Sequence, residues 1–214
     1  MEKKSKKQNN KLYKTKIKGE KDFYNAINKA MKNSAHKESL SDIIKEFEKY
    51  KKYMQENIIP SAMSSDKIFQ FRFTYQLEKK VWKDVEIHGK QNLETLAEYI
   101  IDEMDWDNDH LHSFFFPNKE FDGLRYWYSL YEIGSDGVEN EQYPILCTDE
   151  VLVSAIDYGK NPKLGFVFDF GDDHRFMMEF KGTRILKKNE RKENFPKIID
   201  QRGVGPEQYP CIII

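Results

Sequence analysis

Residues 164–182 read LGFVFDFGDDHRFMMEFKG, and their alternation decides the fold. Successive side chains of an extended chain point to opposite faces, so Leu164, Phe166, Phe168 and Phe170 share one side, as do Phe176, Met178 and Phe180. Two strands joined by a tight turn follow. A three-residue loop, Gly171-Asp172-Asp173, pairs Phe168 with Phe176 and Phe166 with Met178, whereas a two- or four-residue loop puts Phe168 opposite the wrong face. That register sets Asp169 opposite Arg175 as a cross-strand ion pair worth roughly 0.2–1 kcal/mol.

The same period runs upstream from Ile68, with Phe69, Phe71, Phe73, Tyr75 and Leu77 on one face and Gln70, Arg72, Thr74 and Gln76 on the other. Glu78, Lys79 and Lys80 turn this strand into a second, Val81 to Ile87, which Gly89 ends. Asn92 then caps a helix whose Leu93, Leu96, Ala97, Ile100, Ile101 and Met104 form a core-facing stripe. His112 to Phe116 and Tyr126 to Ile133 read as further strands, Gly134 to Asn140 as a polar loop, and Thr148 with Asp149 as the start of a short helix through Ile156. Residues 187–193 read as a solvated charged turn before an irregular end. The expected fold is α+β, a mostly antiparallel sheet packed on one main helix.

Ahead of this domain, Phe23, Ala26, Ile27, Ala30 and Met31 recur at helical spacing. Ser39 or Ser41 can cap a second helix carrying Ile43, Ile44, Phe47, Tyr50, Tyr53 and Met54. Pro60 with Ser61, Ser64 and Ser65 breaks the pattern. The chain therefore divides into a basic tail (1–18), a helical N-terminal extension (19–65) and the α+β domain (66–214).

A hydrophobic fraction of 39% over 214 residues supports a real core. No run approaches the roughly 20 apolar residues of a membrane helix, and the lysine-rich start lacks the apolar segment of a signal peptide, so the expectation is a soluble, cytoplasmic protein that does not engage membranes. Cys147 and Cys211 alone make neither a disulfide scaffold nor a zinc ribbon. The net charge of −1 conceals a division: residues 1–60 hold 16 Lys against 8 acids (+8), and residues 61–214 hold 19 Lys plus Arg against 28 acids (−9). A basic segment of this kind attracts nucleic acid, an acidic surface or its own acidic domain.

Between Lys90 and Lys119 stand seven acids, Glu94, Glu98, Asp102, Glu103, Asp105, Asp107 and Asp109, and no Lys or Arg. Several crowd a helix C-terminus, where negative charge is unfavourable, so a cation from protein or metal would relieve them. Asp105, Asp107 and Asp109 fail as a calcium loop, because His110 stands where glycine is needed and Phe116 where glutamate is needed. Asp107, Asp109, His110, His112, Asp169, Asp172, Asp173 and His174 are the candidate ligands of a divalent metal in a nuclease or phosphohydrolase. Turn chemistry explains the Asp-Gly-Asp-Asp run equally. No nucleophile context, phosphate loop or dinucleotide fingerprint is present.

Four blocks together point to a family: Val81-Trp82; Leu93 to Trp106 with His110-Leu111-His112-Ser113-Phe114; Phe168-Asp169-Phe170-Gly171-Asp172-Asp173 with Glu179; and Gly203-Val204-Gly205-Pro206-Glu207. From about Ile68 to Tyr209 the chain resembles the plasmid (Ri-type) open-reading-frame-three-like family, also labelled insertion-element passenger or resolvase-like. It departs from the family pattern at His174, where Trp is usual, and at Phe176, where His is usual. The resemblance implies a compact α+β domain linked to mobile elements. With the acidic and aromatic composition it leads to the expectation of a non-enzymatic interaction module with a protein partner, and nucleic acid reachable through the basic tail. Its candidate binding residues are Trp106, His110, His112, Asp169, Asp172, Asp173 and Glu207. The alternative is the metal-dependent enzyme, which would bring a His110 or His112 imidazole within about 5 Å of the 169–174 carboxylates.

Overall fold

The computed structural model describes residues 17–33, 35–59, 66–116, 131–138 and 142–209. Residues 1–16, the boundary at Pro60 to Ser65, most of the 126–133 strand, the end of the 134–140 loop and the segment around Cys211 lie outside the described residues. Helices α1 (Glu20–Asn33) and α2 (Lys37–Asn57) precede strands β1 (Lys67–Tyr75) and β2 (Trp82–His88) and helix α3 (Leu93–Glu103). The short strands β3 (His112–Phe115), β4 (Glu132–Gly134) and β5 (Leu146–Cys147) come next, followed by β6 (Lys163–Phe168), β7 (His174–Ile185) and β8 (Lys197–Arg202). Among the described residues the strands form one eight-stranded sheet in the order β5-β4-β3-β6-β7-β1-β2-β8, antiparallel except for β4 with β5. The fold is α+β.

The 164–182 hairpin is present, but its register is shifted. Phe166 faces Phe176 and Phe168 faces His174, so the loop is the five residues Asp169 to Asp173 and Arg175 faces Val167. Asp169 leaves the ladder because it starts the turn: its φ is +54°, and its Oδ1 accepts from the N–H of Gly171 (2.8 Å) and Asp172 (3.2 Å). Arg175 pairs with Asp173 instead, Nε to Oδ1 at 2.7 Å, which replaces the expected Asp169–Arg175 pair. Loops of three and five residues keep the same parity, so Phe166, Phe168, Phe176 and Met178 remain together in the core. Further along, β7 is bulged against β1, where Gly182 (φ +144°) faces Gln70 and Phe180 faces Phe71.

Other expectations needed correction. Helix α2 starts at Lys37 with His36 at its cap and no side-chain capping bond, placing Ser39 and Ser41 inside the helix; Glu38 in the first turn supplies the favourable charge there. The 148–156 stretch is a turn and a 3₁₀ segment, Val153–Ala155, rather than a helix. Its backbone is committed elsewhere: the carbonyls of Val151 and Thr148 accept from Leu93 and Glu94 N–H, and Val153 N–H donates to Gln91. These bonds stitch the loop onto the start of α3.

One sheet face carries the main core, in which Phe71, Phe73, Phe166 and Phe176 are packed with Leu96, Ile100 and Ile101 of α3 and with Phe47, Tyr50 and Met54 of α2. Thus α2 belongs to the same core as the sheet. Its Tyr50 hydroxyl donates to the Glu132 carbonyl and accepts from Leu146 N–H, both at 2.8 Å, tying α2 to β4 and β5. The opposite face has a small cluster of Phe115, Val167 and Met177. Beside it lie ion pairs: Arg72 is bidentate to Asp84 and lies 3.9 Å over the Trp82 ring, while Arg184 grips Glu86 and Glu190. The sequence showed no alternation for β8, because half its residues face water beside a charged turn.

Candidate functional site

The first turn of α3, the start of β3 and the turns after β4 and β5 enclose a cleft of about 340 Å³ lined by Glu94, Asn108, His110, Leu111, His112, Ser135, Asp136 and Asp149. Asn92 organises one wall by accepting from Thr95 N–H (2.9 Å), as the caps of helices do, while its Nδ2 donates to the Asp149 carbonyl (3.0 Å). Glu94 therefore sits at the positive end of α3, facing Asp149 and Asp136 with no Lys or Arg in the lining. Ser135 holds the other wall: its Oγ accepts from His112 N–H and its own N–H donates to the His112 carbonyl.

His112 is 1% exposed. Its Nε2 lies 3.2 Å from Glu94 Oε2 but off line for a hydrogen bond, so this buried nitrogen has charge attraction to the carboxylate and no hydrogen-bond partner. The His112 imidazole beside it holds the Glu94 carboxyl below its ordinary range; burial acts in the opposite direction, and the Thr148 hydroxyl adds to the lowering. The cleft thus keeps an ionised carboxylate at neutral pH.

His110 occupies the exposed bend before β3, with Nε2 3.4 Å from Asp169 Oδ2 and 3.8 Å from Asp109 Oδ1. The imidazole-to-carboxylate approach expected of a metal site is met for His110. Among the described residues, however, no three His, Cys, Asp or Glu side chains converge as metal ligands would. Asp172 and Glu207 are exposed, and Asp173 is taken by Arg175.

The remaining signature residues form a structural staple. Trp106 is 6% exposed and donates from Nε1 to the Pro206 carbonyl (2.8 Å). The His174 ring lies 4.2 Å from the Trp106 ring, with Nε2 3.1 Å from the Gln208 carbonyl and Nδ1 3.2 Å from the Tyr75 hydroxyl, so both its nitrogens are engaged within the chain. Gln208 accepts from Asp107 N–H and donates to the Asp107 carbonyl and to Asp109 Oδ1; the Tyr209 hydroxyl also donates to Asp109. Gly205 allows the close pass, since a Cβ there would stand 2.7 Å from the Met104 carbonyl. Three of the four distant sequence blocks meet here, which is a physical reason for their co-occurrence. His174 fills an aromatic position in this cluster, where a Trp would also pack.

Of the candidates read from sequence, the cleft brings together His110 and His112, with Asp169 reaching it through His110. Sequence reasoning did not single out Glu94, Ser135, Asp136 or Asp149 as site residues. The acid-only run from 91 to 118 was the signal for Glu94; the other three come from loops whose convergence depends on backbone hydrogen bonds invisible in sequence.

Residues 67–209 match the plasmid pRiA4b ORF-3-like proteins. A crystal structure of a protein of unknown function from Methanosarcina mazei Go1 is similar, with a TM-score of 0.51 and 17% identity over 65% of this chain and 71% of that one. At that identity the likeness concerns the fold alone. No curated protein matches the chain. Among the described residues no helix is long and apolar enough to cross a membrane.

Proposed function

The chain belongs to the plasmid pRiA4b ORF-3-like family, and from that premise we propose that it is a non-enzymatic interaction module whose acidic cleft takes a lysine- or arginine-rich segment of a protein partner. The observation that supports this reading is the lining itself: Glu94, Asp136 and Asp149 face one concavity with no cationic side chain among them. Carboxylates in a recess attract and orient an ammonium or guanidinium group, and charge-assisted hydrogen bonds supply specificity. At about 340 Å³ the cleft suits one long side chain and its flanking backbone.

Calorimetric titration with a lysine-rich peptide tests the reading. The expected result is binding that weakens at least tenfold in Asp136→Asn/Asp149→Asn, a pair of exposed positions whose replacement leaves the thermal midpoint unchanged. Equal binding by the double variant, or none by either protein, would overturn it.

The His110 to Asp169 distance of 3.4 Å favours a second reading, a divalent-metal nuclease or phosphohydrolase. Metal analysis of the purified protein, with thermal shift on adding Mn²⁺, Zn²⁺ or Mg²⁺, separates the two. A stoichiometric metal lost on His110→Ala would favour the enzyme.

A further inference from the structure

We infer that the chain carries its own competitor for the acidic cleft: the lysine-rich segment of residues 1–16 docks there and must be displaced by a partner. This inference rests on the cleft being a site for basic segments. Ile17 is 5% exposed, packed into the main core, and its carbonyl accepts from Glu20 N–H, which fixes where the segment leaves the body. The next residue, Lys18, places its Nζ 3.3 Å from Asp136 Oδ1. Both side chains are exposed, so the pair adds little stability; its importance is positional.

Asp136 is shared by two concavities. It lines the cleft with Glu94 and His112, and it also lines a neighbouring hollow of about 460 Å³ with Lys18, Tyr143 and Cys147. A continuous acidic path therefore leads from the point where residues 1–16 join the body to the buried imidazole. The Lys18 ammonium already responds to it: the hydrogen bond and charge of Asp136, with further contributions from Cys147 and Asp149, hold its pKa above the ordinary lysine value.

Charge and reach agree. Residues 1–16 contain seven Lys and one Glu, a net of +6. Sixteen residues span up to about 50 Å when extended, far more than a path across adjoining hollows requires. A tethered segment also acts at an effective concentration of about millimolar, so even a weak intrinsic affinity keeps the cleft occupied. The unpartnered His112 Nε2 gives such an occupant a fixed polar contact at the bottom of the cleft.

The test uses the full chain and a full-length variant in which the seven lysines of residues 1–16 are replaced by Gln. A fluorescent synthetic peptide with the sequence of residues 1–16 and a fluorescent oligolysine are titrated into each, followed by anisotropy. The expected result is that the Gln variant binds both probes at least tenfold more tightly than the unaltered chain, and that adding Asp136→Asn/Asp149→Asn abolishes that gain. Equal affinity of both chains would overturn the inference and leave the cleft reading standing. So would binding of oligolysine but not of the 1–16 peptide. If neither probe binds either chain, both readings fall together.

Discussion

Substituting Glu132→Gln should stabilise the fold above pH 7 and have little effect near pH 4. Glu132 lies on β4 opposite Phe115, beside the small apolar cluster on the outer sheet face. Burial pushes its carboxyl from 4.5 to about 7, against a smaller opposing effect of the Ser113 hydroxyl. Between these values the unfolded chain has released a proton that the folded chain retains, so stability falls as pH rises through the window and is flat on either side. A shift from 4.5 to about 7 amounts to about 3 kcal/mol, an upper figure because Glu132 keeps some surface. The Gln variant lacks this titration. Urea denaturation of both proteins from pH 4 to pH 8 measures the difference in unfolding free energy, in which contributions from other groups cancel. The difference should grow by about 2–3 kcal/mol in favour of Gln. A difference that stays constant across the range would show that Glu132 titrates like a solvated carboxyl and refute the reasoning.

Arg184→Met strips the main partner from Glu86, whose side chain is 5% exposed, leaving Lys197 and Gln70; chemical denaturation should show a loss of about 2–4 kcal/mol. Asn92→Ala removes the cap of α3 and its bond to the Asp149 carbonyl, so a loss of about 1–2 kcal/mol should accompany weaker binding of a lysine-rich peptide. Gly205→Ala brings a methyl group 2.7 Å from the Met104 carbonyl and should lower stability by about 1–3 kcal/mol while loosening the Trp106–Pro206 contact, visible as a red shift in tryptophan fluorescence.

What sequence disclosed and what it withheld follow one physical division. Period-2 aromatics at 69–75 and 164–180 locate strands because burial on one face is a local demand, and Asn92 locates α3 because its cap bond spans only three residues. Parity was legible for the central hairpin, but three against five loop residues was not: the choice depends on Asp169 adopting φ +54° and turning its carboxylate onto its own backbone. The candidate cleft was legible only in part. His110 and His112 stand out by type and spacing, whereas Asp136 and Asp149 reach it because Thr148 N–H bonds to the Gly134 carbonyl and the 148–151 loop bonds to α3. Such contacts between distant loops leave no periodic trace. Trp106 and the Gly205-Pro206 turn were marked by resemblance, and the structure gives them a common packing role.

The most direct measurement of the central claim is the response of the histidine rings to a lysine-rich peptide, followed by two-dimensional NMR of the imidazole resonances. The chain has five histidines; His110 and His112 line the cleft, whereas His36 caps α2 and His88 closes β2 with its Nδ1 accepting from Lys90 N–H. If the cleft is the site, the His110 and His112 resonances shift in a saturable manner as peptide is added, while those of His36 and His88 stay in place. Resonances that do not move, or shifts confined to rings outside the cleft, would contradict it.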